Sequence, residues 1–182
     1  MEMNEMETAA QQQYLTYFLA EEEYGINIQK VKEIIEYTAI TKVPKVSRWI
    51  RGVINLRGNV VPVVDLAVRF GLEERPITKT TCIIIVEVQQ ETEKAVMGVI
   101  ADAVNQVIAL NAEDIEEPPA FGTRIRLEYL AGMGKLGKKF ALILNIDRVL
   151  SAAELLTVSE LKNELENPVS EETHEAAATP DA

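Results

Sequence analysis

Gly132, Gly134 and Gly137 spell G-x-G-x-x-G, a spacing that in a dinucleotide site lets the backbone hold a pyrophosphate at a helix N-terminus. That chemistry needs a helix directly after the third glycine. The residues that follow, KKFALILNI, form instead an apolar run of strand length, so the glycines read as hairpin or bulge positions. A small β-barrel binding a nucleotide through the 132–137 turn is the alternative that the motif leaves. Asp65 and Asp102 are the carboxylates available for general acid/base work, but nothing in the sequence brings them together. Asp65 reads as a helix cap and Asp102 as a turn or strand-end residue. One histidine, His174, and one cysteine, Cys82, give His-based catalysis, multi-ligand Cys/His metal sites and an internal disulfide no material. Cys82 lies in a β-branched run and reads as a buried, unreactive core thiol, and His174 as a solvated tail residue. No catalytic residue, metal or cofactor is expected.

Apolar side chains offer a different chemistry, that of contact. Val31 with Ile34, and Val104 with Val107, form pairs at i and i+3 that flank polar residues, Lys32-Glu33 and Asn105-Gln106. One member of each pair can face outward, which makes these positions candidates for two related apolar patches.

The elements that must position such residues are short strands. Residues 13–20, 60–64, 81–88, 95–101 and 140–146 are apolar runs rich in Val and Ile, separated by Gly, Pro or charged turns. That spacing predicts an all-β domain of small barrels. A helical turn is expected after Asp65 as N-cap, with Gly71 at its stop. A C-terminal helix is expected over 151–166, where Ser151 and Glu154 make a capping box and Leu155, Val158, Leu161 and Leu165 follow at helical spacing before Pro168.

The chain repeats itself. Residues 49–66 align without a gap on 129–146, pairing Trp49 with Tyr129, Gly52 with Gly132 and Asp65 with Asn145. Upstream, 24–35 aligns on 97–108, pairing Gly25 with Gly98, Val31 with Val104 and Ile34 with Val107. Agreement of glycines, aromatics and order predicts two similar β units in tandem.

With 182 residues the chain is long enough for one domain with a real core or for two very small ones. Its net charge of -11 sits at the ends. Residues 151–182 carry eight acids against Lys162, a balance of -7, and residues 1–13 add three acids. The body, with 18 acids and 17 bases, is close to neutral, which disfavours a nucleic-acid partner. Residues 167–182 are too poor in apolar side chains to offset ordering and are expected to be disordered, as are 1–12. No apolar run reaches membrane-spanning length and no signal peptide opens the chain, so a cytoplasmic protein with no direct membrane insertion is expected.

Over residues 13–157 the sequence resembles the CheW family of chemotaxis coupling proteins. The likeness is carried by EEEYGINIQKVKEII, WIRGVINLRGNVVPVVDLAVRFG, GVIADAVNQVIAL, the LAGMGKLG segment and LILNIDRVLSAAEL. It implies a CheW-like domain of two tandem five-stranded SH3-like barrels sharing a core. It also implies a non-catalytic adaptor that joins the histidine kinase CheA, through its regulatory domain, to the cytoplasmic tips of methyl-accepting chemoreceptors, and so is recruited to membrane receptor arrays. Carried over by motif, the receptor-binding residues are Val31, Glu33, Ile34, Arg57, Val104 and Val107. The kinase-binding residues are Gly52, Gly132, Met133 and Gly134, placed in turns. The same module occurs within CheA and in adaptors fused to a receiver domain, and the 25 residues after 157 favour a stand-alone adaptor.

Overall fold

The computed structural model describes residues 11–150 apart from Lys45, 91–92 and 119–126. The expected helix over 151–166, the tail 167–182 and residues 1–10 lie outside these described residues. Among the described residues, eleven strands form two sheets. The first sheet has the order β8-β1-β2-β11-β10-β9. Its members are β1 (Gln12–Leu19), β2 (Glu22–Asn27), β8 (Ala103–Leu110), the two-residue β9 (Ile115–Glu116), β10 (Leu130–Leu136) and β11 (Lys139–Leu144). The second has the order β3-β6-β7-β5-β4, from β3 (Val31–Glu36), β4 (Ile50–Leu56), β5 (Asn59–Val64), β6 (Cys82–Gln90) and β7 (Glu93–Ala101).

Both faces of β6 and of the inner part of β1 are covered, which is why their sequences run apolar without alternating. In β6, Ile83 and Ile85 point into a cluster private to the second sheet with Ile54, Val61, Val63 and Ile100. Ile84, Val86 and Val88, from the other face, join the core shared by both sheets. In β1, Leu15, Tyr17 and Leu19 enter the same shared core, whereas Tyr14 joins Leu110, Ala141 and Ile143 inside the first sheet. Each fully buried branched side chain contributes about 1.5 to 3 kcal/mol relative to exposure. The two private clusters and one shared core match the expected pair of barrels around a common interior.

The sequence repeat is reproduced strand for strand. β10 and β11 lie 80 residues after β4 and β5, and both hairpins shift register at the same point, between Ile50 and Gly52 and between Leu130 and Gly132. Each hairpin ends in a capped turn of helix. Asp65 N–H donates to the Trp49 carbonyl at 2.7 Å and Asn145 N–H to the Tyr129 carbonyl at 2.8 Å. The helices α1 (Leu66–Arg69) and α2 (Ile146–Val149) follow, capped by Asp65 and Asn145. Gly71, at φ +92°, stops the first as expected. The strand expected to reach residue 146 stops at Leu144, because Asn145 does for α2 what Asp65 does for α1.

The units of sequence and the units of structure do not coincide. β3 pairs with β6, and β8 pairs with β1. β7 runs parallel to β5, and β2 parallel to β11. The second sheet is therefore continuous in sequence from Val31 to Ala101, while the first closes only when the N-terminal hairpin β1-β2 joins strands from the far end of the chain. Periodicity reports which faces are buried, not which strands are neighbours, so this interleaving is invisible to it.

Candidate functional site

The residues expected to face a receptor fall on one edge strand of each sheet, β3 and β8, and on one hairpin tip. β3 alternates half-buried and exposed positions. Val31 turns inward against the shared core, as does Val104 on β8. Ile34 and Val107, their i+3 partners, turn outward and are 44% and 50% exposed. The outward-facing member of each pair is thus the second. Glu33, also on β3, accepts two bonds from Arg57: Nη1 to Oε2 at 2.7 Å and Nη2 to Oε1 at 3.0 Å. This fork-to-fork geometry is the strong form of a carboxylate pair. It raises the Arg57 pKa above its ordinary value, through the hydrogen bond first and the charge of Glu33 second. The arginine side chain remains 73% exposed. Arg57 occupies the tip of the β4-β5 hairpin at φ +53°, followed by Gly58 at +85°, and the Asn55 side chain accepts from the Gly58 N–H at 2.9 Å. Positive φ at both loop positions is the pattern of a type I′ turn. Behind the latch lies a cavity of about 390 Å³ lined by Lys32, Glu33, Leu56, Arg57, Val61 and Ile85. Val104 and Val107 stand on β8 at the edge of the first sheet, whereas the β3 and Arg57 group belongs to the second.

The residues expected to face a kinase differ from their expected setting. Gly52, Gly132 and Gly134 are buried positions inside β4 and β10, not turns, and Met133 between the latter two is half-buried. The turn after them is formed by Gly137 and Lys138. Gly52, at φ +143°, has the Thr41 carbonyl and Ile40 where a Cβ would stand, because the chain at Thr41 bridges onto Val53. Gly132 has Ile115 and the Glu116 carbonyl in the same place, because β9 bridges onto β10. The equivalent glycines thus admit equivalent crossing segments. After Gly137 the chain enters β11, so no helix N-terminus faces the G-x-G-x-x-G glycines.

A family model described as CheW-like domain matches residues 13–154. The chain belongs to this family. It is 36% identical over 150 residues to the chemotaxis protein CheW of Klebsiella aerogenes, covering 82% of this chain and 88% of that one. It is 32% identical over 149 residues to CheW of Treponema pallidum, with 82% and 88% covered. The crystal structure of the scaffolding protein TtCheW from Thermoanaerobacter tengcongensis superposes with a TM-score of 0.69 at 36% identity, covering 79% of this chain and 90% of that one. An adaptor role in chemotaxis is what membership of the CheW family supports. No helix among the described residues is long and apolar enough to cross a membrane.

Beneath the surfaces, this CheW-like domain carries two arginine contacts that the spacing did not signal. Arg75 Nε donates to both carboxylate oxygens of Asp102 at 2.8 and 2.7 Å, and its Nη2 lies 3.4 Å from Asp65 Oδ1. The two carboxylates that the sequence left apart therefore share one mostly buried guanidinium, which makes them structural. Asp102 in turn accepts from the Ala20 N–H at 2.8 Å, and its own N–H donates to the Phe18 carbonyl at 2.9 Å. The Arg69 guanidinium stacks 4.3 Å over the Trp49 ring and 5.3 Å from the Tyr129 ring, and it donates to the Tyr129 hydroxyl at 3.0 Å. Cation-aromatic stacking of this kind contributes on the order of 1 kcal/mol. Cys82 is half-buried, less enclosed than expected, and burial still raises its thiol pKa.

Proposed function

We propose that this chain is a cytoplasmic, non-catalytic adaptor that joins the tips of methyl-accepting chemoreceptors to the regulatory domain of CheA, recruited in this way to membrane receptor arrays. Its mechanism is occupancy of two surfaces at once, which raises the effective concentration of kinase at receptor. The observation that carries the reading is the match to the CheW-like domain across 13–154, together with an exposed, latched edge at the positions assigned to receptors. Val31 and Val104 set the depth of the receptor face, Ile34 and Val107 supply its apolar contacts, and Glu33 and Arg57 supply its polar rim. The kinase face is formed around Gly52 on β4 and around Gly132, Met133 and Gly134 on β10, with Met133 as its side-chain contact and the bulged glycines setting the strand shape.

Arg57→Ala tests this reading, with receptor affinity and CheA affinity measured separately on the folded variant. Receptor binding should weaken by about 1 to 3 kcal/mol if the rim is desolvated in the complex. CheA binding and the melting temperature should hold. Unchanged receptor affinity with reduced CheA affinity would move Arg57 to the other face, and loss of neither would remove it from both.

A further inference from the structure

The chain between β5 and β6 contributes two arginines that reach across the sheets, and neither has an equivalent in the second repeat among the described residues. The counterpart of Arg69 is Val149, buried in the shared core. Arg69 lies between Trp49 and Tyr129, which are themselves repeat equivalents. Each of those aromatic residues offers the carbonyl that anchors a helix cap, and each leads directly into a bulged strand, Trp49 into β4 and Tyr129 into β10. A few residues later, Arg75 fastens the cap of α1 to Asp102 at the corner between β7 and β8, and Asp102 holds the turn of the β1-β2 hairpin through Ala20. One segment, 65–75, therefore holds the end of the second sheet through Trp49, which Asp65 and Arg69 both contact, and the first through Tyr129 and the β1-β2 turn.

We infer that residues 65–75 act as a strap, with Arg69 and Arg75 as its two fasteners, that makes the two sheets open and close as one body. Resting on the adaptor reading, the strap passes a change at the receptor edge β3 to the kinase-facing strand β10. The physical warrant is that packed interfaces have discrete arrangements, and charge-assisted, directional contacts across them single out one arrangement over the others.

Hydrogen exchange on the intact protein tests the strap without reference to any partner. In the unaltered chain, β1, β2, β10 and β11 should lose protection together with β3 to β7. In Arg69→Met and in Arg75→Met the two sheets should exchange as separate units, the N-terminal hairpin first. If either variant fails to fold, Tyr129→Phe removes one bond to Arg69 and Asp102→Asn removes the charge and one acceptor oxygen facing Arg75, and each should separate the two rates by a smaller factor. Arg69→Lys keeps a cation over the Trp49 ring and should retain joint exchange. Arg75→Lys cannot span Asp65 and Asp102 with one planar fork and should not. Folded methionine variants that still exchange as one unit, or an unaltered chain that already exchanges as two, would overturn the strap. With receptor and kinase fragments present, receptor binding should change kinase affinity at least about fivefold in the unaltered chain and leave it unchanged in Arg69→Met. Absence of any binding by the unaltered chain would count against the adaptor reading, while the exchange result would still decide the strap.

Discussion

The hairpin β4-β5 and the hairpin β10-β11 have the same register shift, the same crossing glycine and the same capped helix, yet their tips differ. In the first, Arg57 takes a left-handed conformation and is held by Glu33. In the second, Gly137 stands at φ +64° in the place of Arg57, and Gln106 stands in the place of Glu33. A left-handed non-glycine residue costs about 1 to 2 kcal/mol, so the fold can be built more cheaply than it is at Arg57. Local charge differs in the same sense. Residues 37–64 contain five bases and no acid, whereas residues 95–123 contain five acids and no base. The comparison teaches that backbone demands fix the shared features of the halves, while the chemistry that separates them is confined to rims and covering segments.

The largest effect should come from forcing a side chain onto the crossing glycines. Gly52→Ala puts a Cβ against backbone at a φ open to glycine, and it should cost about 3 kcal/mol or more in denaturant unfolding. Gly132→Ala meets the Ile115 methyl and the Glu116 carbonyl but at an ordinary φ, and should cost less, about 2 kcal/mol. Equal costs would show that the left-handed φ of Gly52 adds nothing to the clash that both crossings share.

The caps come next. Asp65→Ala removes the acceptor for Ala67 and Val68 N–H groups and one partner of Arg75, at about 2 kcal/mol, while Asn145→Ala loses one long bond and should cost about 0.5 kcal/mol.

An alkaline titration sharpens the comparison through Tyr24, whose repeat partner is Met97. Burial first, and Glu22 second, push Tyr24 up to about 12, against an opposing pull from Arg75. Burial likewise raises Tyr17. The folded state favours the neutral phenol, so this stability is fully present below the unfolded value of 10 and is lost as pH rises through about 12. Tyr24→Met should weaken that loss when melting temperature is followed from pH 9 to 12.

The smallest change in stability should come from Arg57→Gly, which copies the second hairpin onto the first. Relief of strain and loss of an exposed ion pair nearly offset, so unfolding free energy should move by less than about 1 kcal/mol. A loss of several would make Arg57 a structural residue.

Much of this was legible in the residues. The gap-free pairing of 49–66 with 129–146 located both hairpins, and the pairing of Asp65 with Asn145 already contained α2, which was read as the end of a strand. Outward turning of one member in each apolar pair followed from spacing, though which member did not, since a register shift at Val31 and Glu33 resets the alternation. The glycines at 52, 132 and 134 read as turns because a sequence shows that a side chain is missing and not what crosses there. Nothing in the spacing joined Asp65 to Asp102 or set Arg69 between two aromatic rings, because those contacts depend on how the sheets interleave.

That interleaving also orders events during synthesis. Strands β3 to β7 can close as soon as residue 101 leaves the ribosome, but the hairpin β1-β2, made first, has no β11 until residue 144 has been added. At about 5 to 20 residues per second the wait from residue 19 is roughly 6 to 25 seconds. Until then Leu15, Tyr17 and Leu19, all buried in the finished protein, lack the part of their covering that Leu130, Leu144 and Ile146 supply. The nascent chain is therefore most open to chaperones, and to wrong strand partners, at the end that emerges earliest.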